Sequence, residues 1–77
     1  MPRTARKPAK HPALKRLGAR VRELRLQKSL SQEGLADAAN IGRSYMSGIE
    51  RGVRNPSVLQ LLKLARALRI HARDLLT

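Results

Sequence analysis

The sequence predicts an all-helical fold, and three observations support this prediction. Apolar residues recur at the three- and four-residue steps of a helix face, beginning with Leu14, Leu17, Val21 and Leu24. Helix-capping residues separate the apolar segments, with Ser31 and Ser57 each standing just before one of them. No segment alternates apolar and polar residues in the way that predicts a half-buried strand.

The composition indicates one small domain. A chain of 77 residues buries a modest fraction of its unfolded surface, so small domains often add a metal, disulfides or a partner subunit. Cysteine is absent, which excludes disulfides and thiolate metal sites, and His11 and His71 are too far apart in sequence to suggest a zinc site. We therefore predict no metal and no cofactor, and a second subunit remains the available source of extra stability.

The charge balance predicts a polyanionic partner. Seventeen Lys and Arg face five Asp and Glu, a net charge of +12, so nucleic acid is the first candidate and an anionic membrane surface the second. Tyr45 is the only aromatic residue, which disfavours single-strand and RNA-binding platforms that stack bases on several rings. No apolar run approaches the roughly 18 residues of a membrane span, and there is no secretory signal. We expect a cytoplasmic, nucleoid-associated protein without membrane or small-molecule ligands.

Residues 1–12 differ from the rest of the chain. This segment contains three prolines and no acidic residue, and its basic residues are Arg3, Arg6, Lys7 and Lys10. Such a composition cannot build a core, so we expect it to be disordered in isolation. Two interpretations remain open: a solubilising tail, or a basic arm that follows the DNA backbone or enters the minor groove. The folded domain is predicted to span residues 13–77.

The first helix is predicted from Ala13 to about Lys28. Arg25 falls beside its apolar stripe, and an arginine there needs an acidic partner because an unpaired buried charge is costly. The second helix should begin after Ser31, a good N-cap, with Glu33 favouring the positive N-terminal dipole. Asn40 can adopt the left-handed conformation that ends it.

Glycines bound the third helix, which should begin after Gly42 and stop at Gly52. Ser57 is the expected N-cap of a fourth helix over residues 58–68. The last segment, residues 72–76, is predicted to form a short helix at most.

The third helix has two distinct faces on a helical wheel. Its apolar face is formed by Tyr45, Met46 and Ile49. Its polar face is formed by Arg43, Ser44, Ser47 and Gly48. Arg43 could bind guanine O6 and N7 with two hydrogen bonds, Ser44 could bond either base class, and Gly48 could only permit close approach. Polar helix faces are common, but a preceding helix, a tight turn and a basic chain together favour a surface that binds the DNA major groove.

Several motifs resemble the phage repressor/Cro-type (XRE) helix-turn-helix family over about residues 14–76. They are LSQE at 30–33, LA at 35–36, RSYMSGIERG at 43–52, RNPS at 54–57, LLKLA at 61–65, AL at 67–68 and DLL at 74–76. The RSYMSGIERG segment also resembles the controller proteins of restriction–modification systems. Ser29 and Arg69 depart from the family pattern, because both stand where it often has glycine.

The resemblance implies a five-helix, lambda-repressor-like domain that binds operator DNA, usually as a homodimer. The third helix would be the recognition helix, with base-contacting positions at Arg43, Ser44, Ser47 and Gly48. The implied phosphate contacts are Gln32, Arg51, Arg54 and Asn55, and Gln32 would also brace the recognition helix. Tyr45 should pack beneath that helix, while its hydroxyl could reach DNA. Arg25 and Glu50 match an ion pair that joins the first helix to the end of the third.

Leucines outside the core stripe of the fourth helix suggest a dimer interface. The candidates for an exposed apolar patch are Leu59, Leu62, Leu75 and Leu76. Isolated surface leucines are ordinary, but a small domain in a family that usually dimerises favours a two-fold interface.

The leading hypothesis is a transcriptional regulator that binds a pseudo-palindromic operator as a homodimer and contacts double-stranded DNA with helix 43–51. The alternative is an antitoxin that binds a partner toxin and represses its own operon. A basic amphipathic peptide acting at membranes is a third interpretation. An enzyme is excluded, since the carboxylates are scattered and no nucleophile or metal cluster is present.

Overall fold

Four α-helices and one turn of 3₁₀ helix make up residues 11–77, the part of the chain that the computed structural model describes. The helices are α1 (Pro12–Gln27), α2 (Gln32–Ala39), α3 (Arg43–Arg51) and α4 (Val58–Leu68), followed by the 3₁₀ turn Ala72–Leu75. No strand occurs in this range, so the all-helical prediction is confirmed. The count of five helices is not, because the last element has four residues and forms a single 3₁₀ turn.

The helix ends follow from local capping. The Ser31 hydroxyl accepts a hydrogen bond from the Gly34 N–H at 2.8 Å, and the Ser57 hydroxyl accepts one from the Gln60 N–H at 3.2 Å. Asn40 (φ 56°) and Gly52 (φ 77°) end α2 and α3 in the left-handed conformation. The first helix begins at Pro12 rather than after it, since proline suits the first helical position, where no N–H is required.

The core draws on every helix. Its fully buried side chains are Val21, Leu35, Met46, Ile49, Leu64, Leu68 and Leu75. In this core, α3 packs against both α1 and α2, and α4 packs against α2. The first residues of α3, Arg43 and Ser44, are left at the surface.

Leu75 corrects one sequence prediction. It was assigned to an exposed apolar patch, but it is 1% exposed and belongs to the core. The 3₁₀ turn folds back onto α1 and α4, and the Arg20 side chain fixes it by donating from Nε to the Asp74 carbonyl at 2.8 Å. Because successive residues of a 3₁₀ helix point about 120° apart, Leu75 faces inward while Leu76 is left 68% exposed.

The backbone conformation of Arg69 allows a prediction about the stability of the domain. It ends α4 with φ 59°, a left-handed conformation that costs a non-glycine residue about 1–2 kcal/mol. Glycine would relieve this cost while adding about 0.4–1 kcal/mol of unfolded-state entropy, so Arg69→Gly should stabilise the domain by about 0.5–1 kcal/mol. Urea unfolding followed by circular dichroism measures this change.

Arg66→Gly is the matched control for Arg69→Gly. It removes the same charge from the last turn of α4, but at an ordinary helical position, where glycine costs about 1 kcal/mol. Equal destabilisation by both variants would contradict the conformational explanation.

Candidate nucleic-acid interface

A tight turn orients α2 and α3. Asn40 adopts the left-handed conformation, and Ile41 follows it into the core with only 7% exposure. The Ile41 N–H donates to the Ala36 carbonyl at 2.9 Å, which closes the end of α2. The turn is therefore held by a buried side chain as well as by its backbone, so the angle between the two helices is fixed.

The helix α3 has the amphipathic arrangement that its sequence suggests, with one exception. Met46 and Ile49 are completely buried, Tyr45 is half-buried, and Arg43 and Ser44 are exposed. Ser47 is partly exposed. The exposed N-terminal half of α3 can therefore approach another molecule while the opposite face anchors it to the core.

Gly48 is the exception. It was assigned to the base-contacting face, but it is buried, because the loop after α3 folds back and the Val53 N–H donates to the Gly48 carbonyl at 3.0 Å. A Cβ atom at Gly48 would lie 2.6 Å from Cγ of Arg54. Gly48 therefore provides space for the Arg54 side chain and presents no surface of its own.

Arg54 lies over the Tyr45 ring as well. Its guanidinium carbon is 5.4 Å from the ring centroid, within the range of a cation–π interaction. Tyr45 and Gly48 are three residues apart and share one side of α3, so together they hold the Arg54 chain against the helix. This arrangement keeps a positive charge at the exposed edge of α3, beside the exposed Asn55.

Arg43 does not stand free at the start of α3. Its guanidinium forms ion pairs with Glu33 and with Asp37, the latter at 3.3 Å between Nη2 and Oδ2. The hydrogen bond to Asp37 and the charges of both acids raise the pKa of Arg43. All three side chains remain more than half exposed. This cluster was not predicted from the sequence, although the spacing of Glu33 and Asp37, one turn apart on α2, indicates a shared cation.

The other end of α3 is clamped by a buried ion pair. Arg25 donates from Nε to Oε2 of Glu50 at 2.7 Å and from Nη2 to Oε1 at 3.1 Å. It also donates from Nη1 to the Leu30 carbonyl at 2.9 Å, and the Glu50 side chain is 5% exposed. Hydrogen bonds to Glu50 raise the pKa of Arg25. The pair thus joins α1 to α3 through a geometry with two parallel hydrogen bonds.

Gln32 links a third helix, α2, to the Arg25–Glu50 ion pair. Its Nε2 donates to Oε1 of Glu50 at 3.1 Å, so the first residue of α2 braces the last turn of α3. Arg51 follows Glu50 and is exposed, and it lines an open groove with Lys15 and Arg22 of α1. The predicted phosphate-contacting residues thus occur at the bracing point, along the edge of α3 and in the following loop.

The remaining site predictions have different outcomes. Arg3, Arg6, Lys7 and Lys10 lie outside the described residues. Of the predicted interface leucines, Leu59, Leu62 and Leu76 are exposed, by 69%, 50% and 68%. Val58, which precedes Leu59 at the start of α4, is 72% exposed.

Within residues 11–77, no group of His, Asp and Glu could hold a metal ion. No helix in that range is long and apolar enough to cross a membrane.

Comparison with known proteins identifies relatives of this arrangement. A family model described as helix-turn-helix (HTH_3) matches residues 21–75. Control protein C.BamHI of Bacillus amyloliquefaciens is 47% identical over 60 residues, covering 77% of this chain and 74% of the relative.

Two solved structures share the fold. The restriction–modification controller protein C.AhdI from Aeromonas hydrophila superposes with a TM-score of 0.83 at 51% identity, over 84% of this chain and 98% of that one. SinR, a master regulator for biofilm formation that was crystallised in complex with DNA, superposes with a TM-score of 0.76 at 35% identity, over 79% of this chain and 98% of that one. The chain belongs to the XRE-type helix-turn-helix family of non-enzymatic, DNA-binding transcription regulators.

Proposed function

We propose that this chain binds a specific double-stranded operator and regulates transcription from it, with α3 lying in the major groove. The observation that supports this most strongly is the asymmetry of α3: its first turn exposes Arg43 and Ser44 while its last turn is clamped by Arg25 and Glu50. A recognition helix needs both properties, because base contacts require an exposed face that is held in one orientation.

Arg43 is the proposed source of base preference. Arginine commonly binds guanine through two hydrogen bonds to O6 and N7, whereas the hydroxyls of Ser44 and Ser47 can bond to more than one base. Gly48 has no such role in this proposal, since Arg54 covers it.

Phosphate contacts supply affinity and fix the position of α3. We assign them to Arg51, Arg54 and Asn55, which are exposed along the edge of α3 and the loop after it. The Tyr45 hydroxyl and the Gln32 amide are further candidates, although one Gln32 N–H is already donated to Glu50. The basic residues of the N-terminal segment 1–12 are proposed to extend these contacts along the DNA, beside a folded domain over residues 13–77.

A homodimer is the proposed binding unit. Leu59 and Leu62 are exposed on α4, and Leu76 is exposed just after the 3₁₀ turn. A two-fold axis would pair such apolar surfaces with their copies. Two recognition helices would then contact half-sites about one DNA turn, roughly 34 Å, apart. Because C.BamHI is named a control protein and C.AhdI a restriction–modification controller protein, we propose the same class of regulator here.

Selection of bound duplexes from a random pool tests the function directly, and Arg43→Ala tests its mechanism. We expect the selection to yield an inverted repeat. On that repeat, Arg43→Ala should cost about 1–3 kcal/mol of binding free energy and remove the preference at one base pair of each half-site. Titration of labelled duplexes substituted at each position measures both effects.

Arg73→Ala is the matched control for Arg43→Ala. Arg73 is exposed and lies in the 3₁₀ turn, which packs on α1 and α4 rather than on α3. It should weaken binding little and leave the sequence preference unchanged. An Arg43→Ala variant that loses affinity equally on every duplex would assign Arg43 to phosphate, and a selection without enrichment would contradict the proposed function.

A further inference from the structure

Two of the chain's few acidic residues lie beside Arg43. The chain has only five acidic residues. Glu50 pairs with buried Arg25, Asp74 accepts from the His71 N–H at the start of the 3₁₀ turn, and Glu23 pairs with Arg20 on α1. The remaining two, Glu33 and Asp37, both contact Arg43. Glu33 also favours the N-terminal dipole of α2, but that role does not require a contact with Arg43. Exposed ion pairs contribute little to stability, about 0–1 kcal/mol each, so the pairing of both acids with Arg43 calls for another explanation.

The three side chains form a local negative charge on a basic protein. One arginine and two carboxylates leave a net single negative charge, whereas the whole chain carries +12. A phosphate that approaches Arg43 meets this repulsion. A guanine edge offers two acceptors, O6 and N7, but carries no net charge, so the same carboxylates do not repel it.

We propose that Glu33 and Asp37 are specificity-determining residues. Their ion pairs prevent Arg43 from contacting phosphates and allow it to contact only a base edge. This rests on the proposed function, since it presupposes that α3 enters the major groove. In an encounter with unrelated DNA, Arg43 stays paired with α2 and adds nothing to affinity. On the operator, α3 docks closely enough for guanine to take the place of one or both carboxylates. Both acids act through Arg43 and are therefore positioning residues.

Removing the charges of Glu33 and Asp37 should raise affinity for DNA of any sequence and lower sequence specificity. In a Glu33→Gln, Asp37→Asn double variant, Arg43 is free to contact phosphate on any sequence. Affinity for a random-sequence duplex should rise about tenfold, as expected for one added charge-assisted hydrogen bond. The slope of log K against log salt should steepen by about 0.9, the value for one more phosphate contact. Affinity for the selected operator should rise less, so the ratio of specific to non-specific binding falls.

Four proteins make the test decisive: the wild type, the double variant, Arg43→Ala, and the double variant combined with Arg43→Ala. Each is titrated at several salt concentrations with the selected operator and with a random-sequence duplex of equal length. The gain on random DNA should largely disappear when Arg43 is absent. Glu23→Gln is the matched control, because it removes one exposed acid on α1, whose side chain is 57% exposed, without touching Arg43. Thermal melts establish that every variant is folded.

The titrations distinguish a failure of this inference from a failure of the proposed function. A wild type that binds both duplexes equally contradicts the proposed function before any variant is considered. A wild type that prefers its operator, with a double variant whose preference falls in an Arg43-dependent manner, supports the inference. The inference is overturned if the double variant gains equally on both duplexes, if the gain persists in full without Arg43, or if operator affinity falls while random binding is unchanged.

Discussion

Glu50→Ala is expected to lower the free energy of unfolding by about 3–5 kcal/mol, the usual cost of removing one member of a buried ion pair. Arg25 is 9% exposed and would keep its charge, because its guanidinium cannot lose a proton at ordinary pH. Two of its hydrogen bonds end on Glu50, and Gln32 would lose an acceptor as well. A domain of this size has a total stability of about 4–12 kcal/mol, so this one substitution should remove a large share of it.

Urea unfolding followed by far-ultraviolet circular dichroism measures the effect of Glu50→Ala. Glu23→Ala is its control, since the Arg20–Glu23 pair is exposed and should contribute less than about 1 kcal/mol. Replacing both members of the buried pair, as Arg25→Met with Glu50→Met, should recover part of the loss because no buried charge remains. A Glu50→Ala variant within about 1 kcal/mol of wild type would show that water reaches Arg25.

The helix boundaries were predictable because their causes are local. Ser31 and Ser57 bond to N–H groups three residues further along the chain, and Gly52 adopts its left-handed conformation within a single turn. The buried face of α3 was predictable for a similar reason, since the spacing of Met46 and Ile49 alone places both on one side. Arg25 could be expected to need an acid because of its place beside an apolar stripe.

Three features of the structure that differ from the sequence analysis, or are missing from it, depend on contacts beyond a single helix. Gly48 lies on the polar side of the helical wheel, but the loop after α3 returns and covers it with Arg54. Leu75 and Leu76 are chemically identical, and only the way in which the 3₁₀ turn packs on α1 decides which one is buried. The pairing of Arg43 with Glu33 and Asp37 depends on the angle between α2 and α3. The spacing of Glu33 and Asp37 on α2 indicates a shared cation, but it does not identify Arg43 of α3 as that cation.

Gly18→Ala should destabilise the domain by about 2–3 kcal/mol, at the upper end of the usual cost of overpacking. The helix α1 contacts α3 closely at this point: a Cβ on Gly18 would lie 2.4 Å from the Ile49 carbonyl oxygen and 2.6 Å from that of Glu50. These are backbone atoms of α3 and cannot rotate away, so α1 and α3 must separate. The gain of about 1 kcal/mol in helix propensity offsets only part of this cost.

The same substitution tests whether the buried side of α3 controls the side that we propose to bind DNA. Separation of α1 from α3 would pull Arg25 away from Glu50, so Gly18→Ala should lose operator affinity under conditions where it remains folded. Gly34→Ala is the matched control, because its Cβ would meet only side-chain atoms, the Ser31 hydroxyl oxygen at 3.0 Å and Cδ2 of Leu30 at 4.0 Å. It should stay within about 1 kcal/mol of wild type, as an alanine in a helix with one tight side-chain contact does. Urea unfolding and operator titration of both variants provide the comparison. Wild-type stability in Gly18→Ala would mean that α1 and α3 are not held at this distance.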